Sequence, residues 1–218
     1  MKTKIVLTAA LALLVSSPTF AQVSAGPACV KGTLASYITL GAGGCMFNGA
    51  LYRDFTYAVP VSNTISPAEI IVTPAELPMA TAPFQGLNFS GPWSAAAGLT
   101  QVSIIGYNVV PFPPNADLAP LSADLTLDLG SVTISGVIGS VSVTQQSTSS
   151  PAVSATSTAN LEVFETCADA CTIRQSDSVT VSPLTTLQTT LTVTLTGGNE
   201  GVALHNFAAN EAFGVQPE

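Results

Sequence analysis

The residues of this 218-residue chain that could do chemistry are few, and they are scattered. Four are cysteines: Cys29, Cys45, Cys167 and Cys171. In an oxidising compartment an even number of thiols reads as two disulfides. Spacing favours Cys29 with Cys45 and Cys167 with Cys171, with three pairings formally open. In the chain-entropy model the first bridge contributes about 3 kcal/mol and the tighter "CADAC" loop about 2. Four thiolates around zinc are the weaker reading, because three residues separate the second pair and export favours oxidation. His205 is the sole histidine, which argues against a histidine-rich metal centre, and no G-x-S-x-G elbow accompanies it to suggest a Ser-His-acid triad. It reads as an ordinary strand residue.

Asp124 and Asp128 share one face of a strand and are weak candidates for calcium, or for the two carboxylates of a glycoside hydrolase. Without an Asp-rich loop or a recognisable cleft, a solvated face is the plainer reading. Trp93, in "FSGPWS", and Tyr107 are the speculative ligand-binding residues, since an exposed ring can stack on a sugar. For Trp93, packing with Phe89 and Pro92 is the better reading, and the exposure of Trp93, Tyr52, Tyr57 and Tyr107 separates a matrix role from a lectin-like one. Asn88-Phe89-Ser90 matches a glycosylation sequon. No catalytic constellation emerges and no cofactor is expected.

The elements that must position these residues have a period of two. "ADLTLDLGSV" puts Leu125, Leu127 and Leu129 opposite Asp124, Thr126 and Asp128, and "TTLTVTLTGG" puts Leu191, Val193 and Leu195 opposite threonines. "GLTQVSIIGYNVVP" is apolar on both faces from Val102 to Val110, as a central strand would be. "SVTISGVIGSVSVT" slips phase near Ser135-Gly136, which predicts a β-bulge. Further strands are expected at "GTLASYITL", "GALYRDFTYAV", "AEIIVTP", "GLNFSG", "ANLEVFET", "DSVTVS" and "GVALHNFA". The segment "SYITLGAGGC" has room for one helical turn, and residues 144–160 read as a long hairpin connection. The expectation is an all-β fold, an antiparallel β-sandwich of jelly-roll-like form in a single domain.

The opening "MKTKIVLTAALALLVSSPTFAQ" has Lys2 and Lys4, a short apolar run and small residues before Gln22, the pattern of a secretory signal over residues 1–21. The sandwich is then expected over 22–213, with 214–218 as a disordered tail. Hydrophobic residues make up 47% of the chain and charged ones only 8%, so the surface must be largely Ser, Thr, Asn and Gln. Lys2 and Lys4 leave with the signal while every acidic residue stays, taking the formal charge from −8 to −10. That argues against nucleic acid and anionic lipid, which call for clustered Lys and Arg. After the signal no apolar run approaches the roughly 20 residues of a membrane helix, so no membrane insertion is expected.

In order along the chain, "CVKGTLASYITLGAGGCMFNGALYRDFTYAV", "GLNFSGPWSAAAGLTQVSIIGYNV", "LEVFETCADAC" and "LTVTLTGGNEGVALHNFAANEAF" resemble the globular part of secreted bacterial proteins of the PEP-CTERM, exosortase-sorted kind. The resemblance implies export and an association with extracellular polymer or biofilm. Members of that family continue into a Pro-Glu-Pro motif, an apolar segment and a basic end, whereas this sequence stops at "VQPE" without the C-terminal sorting anchor. The expectation is a secreted or extracellular protein, at the cell surface or in the periplasm. Its role would be non-enzymatic, in the surface, matrix or biofilm, with extracellular polysaccharide or surface proteins as partners. A lectin-like carbohydrate-binding domain is the alternative, and a carboxylate-dependent hydrolase a remoter one.

Overall fold

A computed structural model describes residues 26–61, 65–77, 84–111, 121–150 and 157–215. The expected signal over 1–21, residues 216–218 and the tip of the predicted hairpin at 151–156 lie outside the described residues.

The predicted first strand proves to be mostly helix. Only β1 (Gly32–Thr33) is extended, and α1 (Leu34–Thr39) follows at once. Thr33 caps it: its backbone is extended and its hydroxyl accepts the Ser36 amide at 3.1 Å, satisfying one of the helix's unpaired donors. Leu34 and Tyr37, three apart, form the buried face. A single 3-10 turn at Gly41–Gly43 ends the helix, and Gly44 follows at φ 57, where a side chain would strike the Tyr52 carbonyl.

The rest is strand: β2 (Cys45–Phe47), β3 (Ala50–Val61), β4 (Ile71–Leu77), β5 (Phe84–Ala96), β6 (Thr100–Pro111), β7 (Leu121–Leu129), β8 (Val132–Ser135), β9 (Ile138–Ser150), β10 (Ser157–Ala168), β11 (Ala170–Arg174), β12 (Ser176–Leu184), β13 (Thr186–Gly197) and β14 (Gly201–Val215). They form two antiparallel sheets. The first runs β1-β4-β5-β14-β7-β12, with β8 also on β14, and the second runs β11-β10-β9-β13-β6-β3-β2. The pairing is nested: β5 with β14, β6 with β13, β7 with β12 and β9 with β10. Winding a chain so that early strands meet late ones in this order, with alternate pairs in opposite sheets, makes a jelly roll, which β1 to β4 widen at one edge.

The phase slip at Ser135-Gly136 is a change of sheet and not a bulge. β8 pairs with β14 of the first sheet and β9 with β10 and β13 of the second, and Gly136, at φ 85, turns the chain between them. The true irregularity comes earlier. β7 and β8 are one strand on β14, broken at Gly130–Ser131, where the Gly130 amide donates to Asn206 O and the His205 amide to Ser131 O. The long hairpin is present, with strands reaching further than expected: β9 and β10 pair as far as Ser149 with Ser157. β14 likewise continues past 213, pairing Gly214 with Ser122 and Val215 with Leu121, so the sequence boundary for a tail at 214 is two residues early.

The core between the sheets is laced by aromatic rings. Tyr37 meets Phe55 edge-on at 5.0 Å, Phe55 stacks on Tyr107 at 5.4 Å, Tyr107 lies 6.3 Å from Phe89, and Phe89 and Trp93 both contact Phe207, at 5.2 and 5.6 Å. The chain of rings runs from α1 through the second sheet into the first, each contact adding to the area it buries.

Candidate functional site

Two groups of polar residues stand out, one sealed between the sheets and one spread over an outer face. The sealed group centres on Glu211. On β14 the residues Phe207, Ala209, Glu211 and Phe213 share the inward phase, so Glu211 enters the core with its apolar neighbours and is 0% exposed. Its cross-strand partner is Gln85, also buried. From the opposite sheet, Tyr52 of β3 donates its hydroxyl to one carboxylate oxygen at 3.1 Å and Tyr107 of β6 to the other at 3.0 Å. Burial pushes the Glu211 carboxyl up to about 8, against the two phenol hydrogen bonds, which pull it down. Burial also raises both phenols well above their ordinary range, and the Glu211 charge raises them further. Beyond this group, Thr189, Ser147 and Gln145 continue a line of buried polar side chains, linked at 3.1 and 3.0 Å. No substrate reaches a carboxyl in this position, so Glu211 ties the sheets together and does not serve as an acid or base for a ligand.

Both predicted disulfides are formed, Cys29–Cys45 and Cys167–Cys171. Trp93 and Tyr107, offered as ligand-stacking aromatics, are core residues at 1% and 2% exposure, and Tyr52 is equally buried. That corrects the assignment, since a ring with both faces packed offers none to a sugar. Tyr57 is half-buried, bonded to Ile65 O and paired with the Ser103 hydroxyl. Asp124 and Asp128 lie on the outer face of β7 with neutral partners: Asp124 accepts from Thr180 at 2.5 Å and Asp128 from Asn210 at 3.0 Å. His205 is exposed on β14. The Glu165 carboxylate lies within 4.8 Å of the sulfurs of Cys167 and Cys171, but those sulfurs are bonded to each other and have no thiolate to offer a metal.

The second group occupies the outer face of the second sheet. With the apolar phase of β13 turned inward, Gln188, Thr190, Thr192, Thr194 and Thr196 face out. Ser140, Ser142, Thr144, Gln146 and Thr148 do the same on β9, and Thr158, Asn160, Glu162, Phe164 and Thr166 on β10. The register sets these in rows: Thr194, Ser142 and Phe164; Thr192, Thr144 and Glu162; Thr190, Gln146 and Asn160. Neighbours in a row are about 4.8 Å apart and successive rows about 6.7 Å. Gln146 donates to Asn160 at 3.3 Å and Ser142 to Glu162 at 3.4 Å, so some of the field is cross-linked within itself.

Phe164 is half-buried between Ser142 on β9 and Arg174 on β11, as Phe47, Tyr57 and Phe213 are half-buried elsewhere, but those three pack against the core. Its signal was in the sequence. In "NLEVFETC" it is a large ring in the polar phase beside inward Leu161 and Val163.

No family model matches the chain, and no curated protein does. Among solved structures it is similar to the enzymatically active domain of bacteriophage CBA120 tailspike protein 4, with a TM-score of 0.29 and 8% identity over 74% of this chain and 19% of that one. It is also similar to the family 11 carbohydrate-binding module from Clostridium thermocellum, solved with a β-1,3-1,4-mixed-linked tetrasaccharide, with a TM-score of 0.26 and 6% identity over 75% of this chain and 91% of that one.

Proposed function

We propose that this protein is an exported, non-enzymatic binding module that holds neutral extracellular polysaccharide against the outer face of its second sheet, a matrix role of the kind its PEP-CTERM-like sequence implies. The observation that carries this reading is the field of hydroxyl and carboxamide groups in register across β10, β9 and β13, with Phe164 at its margin. Such groups both donate and accept, as sugar hydroxyls do. Threonine is stiff at χ1 and its backbone is fixed by the ladder, so little side-chain freedom is lost on contact. Each contact is weak, and affinity comes from repetition along an extended polymer, not from a single sugar. The acidic balance of the chain disfavours acidic polymers by repulsion. Burial of Glu211 and the neutral partners of Asp124 and Asp128 favour binding over hydrolysis.

The test is co-sedimentation with insoluble neutral glucans and chitin, with alginate as the acidic control. The wild type is expected to pellet with a neutral polymer, Phe164→Ala to bind several-fold more weakly, and Thr192→Lys with Thr194→Lys to be weaker still. Absence of binding to every neutral polymer, or full binding by the folded variants, overturns the reading.

A further inference from the structure

The turn joining β2 to β3 contains the chain's one Asn-Gly pair, Asn48-Gly49, and both residues are exposed. Phe47 pairs with Ala50, so the loop is two residues long, and both loop residues are left-handed, at φ 44 and 78. That is the conformation a tight hairpin of this length requires, and Asn-Gly suits it best. The tip also reaches across the molecule. Asn48 Nδ2 donates to Oε1 of Glu76 at 2.7 Å, and Glu76 belongs to β4 in the other sheet. This hydrogen bond is a clasp between the two sheets at their N-terminal edge.

We propose that Asn48 is a site of spontaneous modification, at which the side-chain amide is lost to the following backbone nitrogen and the acid formed releases the clasp. Glycine leaves its own nitrogen unshielded, so the Gly49 nitrogen can attack Asn48 Cγ. A Cγ–N bond forms, the Cγ–Nδ2 bond breaks, and ammonia leaves with the proton that the Gly49 nitrogen gives up. Water then opens the cyclic imide at either carbonyl, giving aspartate or isoaspartate. Either product removes the donor to Glu76 and sets a second carboxylate beside it, turning an attraction into a like-charge contact. The isoaspartate also lengthens the backbone of a loop whose geometry fixes the β2–β3 register, two residues after Cys45-Met46. Exported proteins persist without resynthesis, so slow chemistry of this kind accumulates.

The experiment holds folded protein at mildly alkaline pH for days, maps its peptides with isoaspartate detection, and follows hydrogen exchange along β4. Conversion at Asn48 ahead of every other asparagine is expected, with faster exchange at Thr73–Leu77. Asn48→Gly, which keeps the turn but has no amide to lose, should show no change with time. Asn48→Asp should exchange fast from the start. Retention of the Asn48 amide in folded protein while urea-unfolded protein converts would mean that the turn protects it and would overturn the proposal. So would conversion, or Asn48→Asp, that leaves β4 exchange unaltered.

Discussion

Glu211 is a carboxyl where the β14 pattern asks for an apolar side chain, and that makes the fold sensitive to pH. Its folded-state value, about 8, stands above the ordinary carboxylate value of 4.5 because the ionised form is desolvated. The protonated carboxyl is therefore favoured by folding. Its contribution is complete below about 4.5 and is lost as pH climbs toward 8, with a total on the order of a few kcal/mol. Urea denaturation at pH 5 and pH 8.5 should find the wild type less stable at the higher pH. Glu211→Gln keeps the volume and the acceptor for a phenol, and should flatten that difference. A wild type equally stable at both values would show the carboxyl to be solvated. Reading single residues from sequence succeeded where identity decides, as with the cysteines, and failed where phase decides. Tyr107 draws a ligand-binding reading for being aromatic although it sits in the inward phase, whereas the packing reading of Trp93 holds. Phe164 and Glu211, each in the phase opposite to its polarity, were passed over.

At the scale of elements, the two disulfides fasten very different things. Cys167 and Cys171 face each other across the β10–β11 hairpin, and every residue of β11 is exposed. Cys29–Cys45 ties the chain before β1 to β2, where the Cys29 amide already donates to Met46 O at 2.8 Å and Met46 to Pro27 O at 2.7 Å. Replacing Cys29 and Cys45 with alanine is expected to cost about 3 kcal/mol of stability and to lower the melting temperature accordingly, and replacing Cys167 and Cys171 to cost less. In the second variant, faster hydrogen exchange should be confined to Ala170–Arg174, and a loss as large as the first would contradict this difference. The period-two strands were legible because one buried face imposes alternation. The helical turn for which "SYITLGAGGC" has room is present, but α1 begins two residues earlier, at Leu34, because Thr33, an equally good strand residue, acts as a cap. Pro92, read as a packing neighbour of Trp93, has a backbone reason. β5 and β14 lose register between Leu204 and Asn206, so Gly91 and Pro92 together face His205, and a residue without an amide proton fits where the ladder is interrupted. Which sheet a strand joins leaves little trace in local periodicity, and hence the crossing at Gly136 was taken for a bulge.

For the whole molecule, the nested pairing makes most stabilising contacts distant in sequence, as with Tyr52 and Glu211, 159 residues apart. Folding should be slow for a domain of this size, since loop closure precedes any gain from the pairing. A chain ending at residue 200 should lack cooperative unfolding altogether, and a sigmoidal urea transition for it would refute the dependence on β14. One that ends at 215 should match the full chain. β14 lies in the middle of the first sheet, between β5 and β7, and the carboxyl that both phenols bind is carried on it. A polypeptide delivered N-terminus first, from a ribosome or through a membrane pore, can form hairpins of the second sheet on the way, yet the slot between β5 and β7 stays vacant until the final fifteen-residue strand arrives. The first sheet is therefore continuous from β5 to β7 only once β14 is in place.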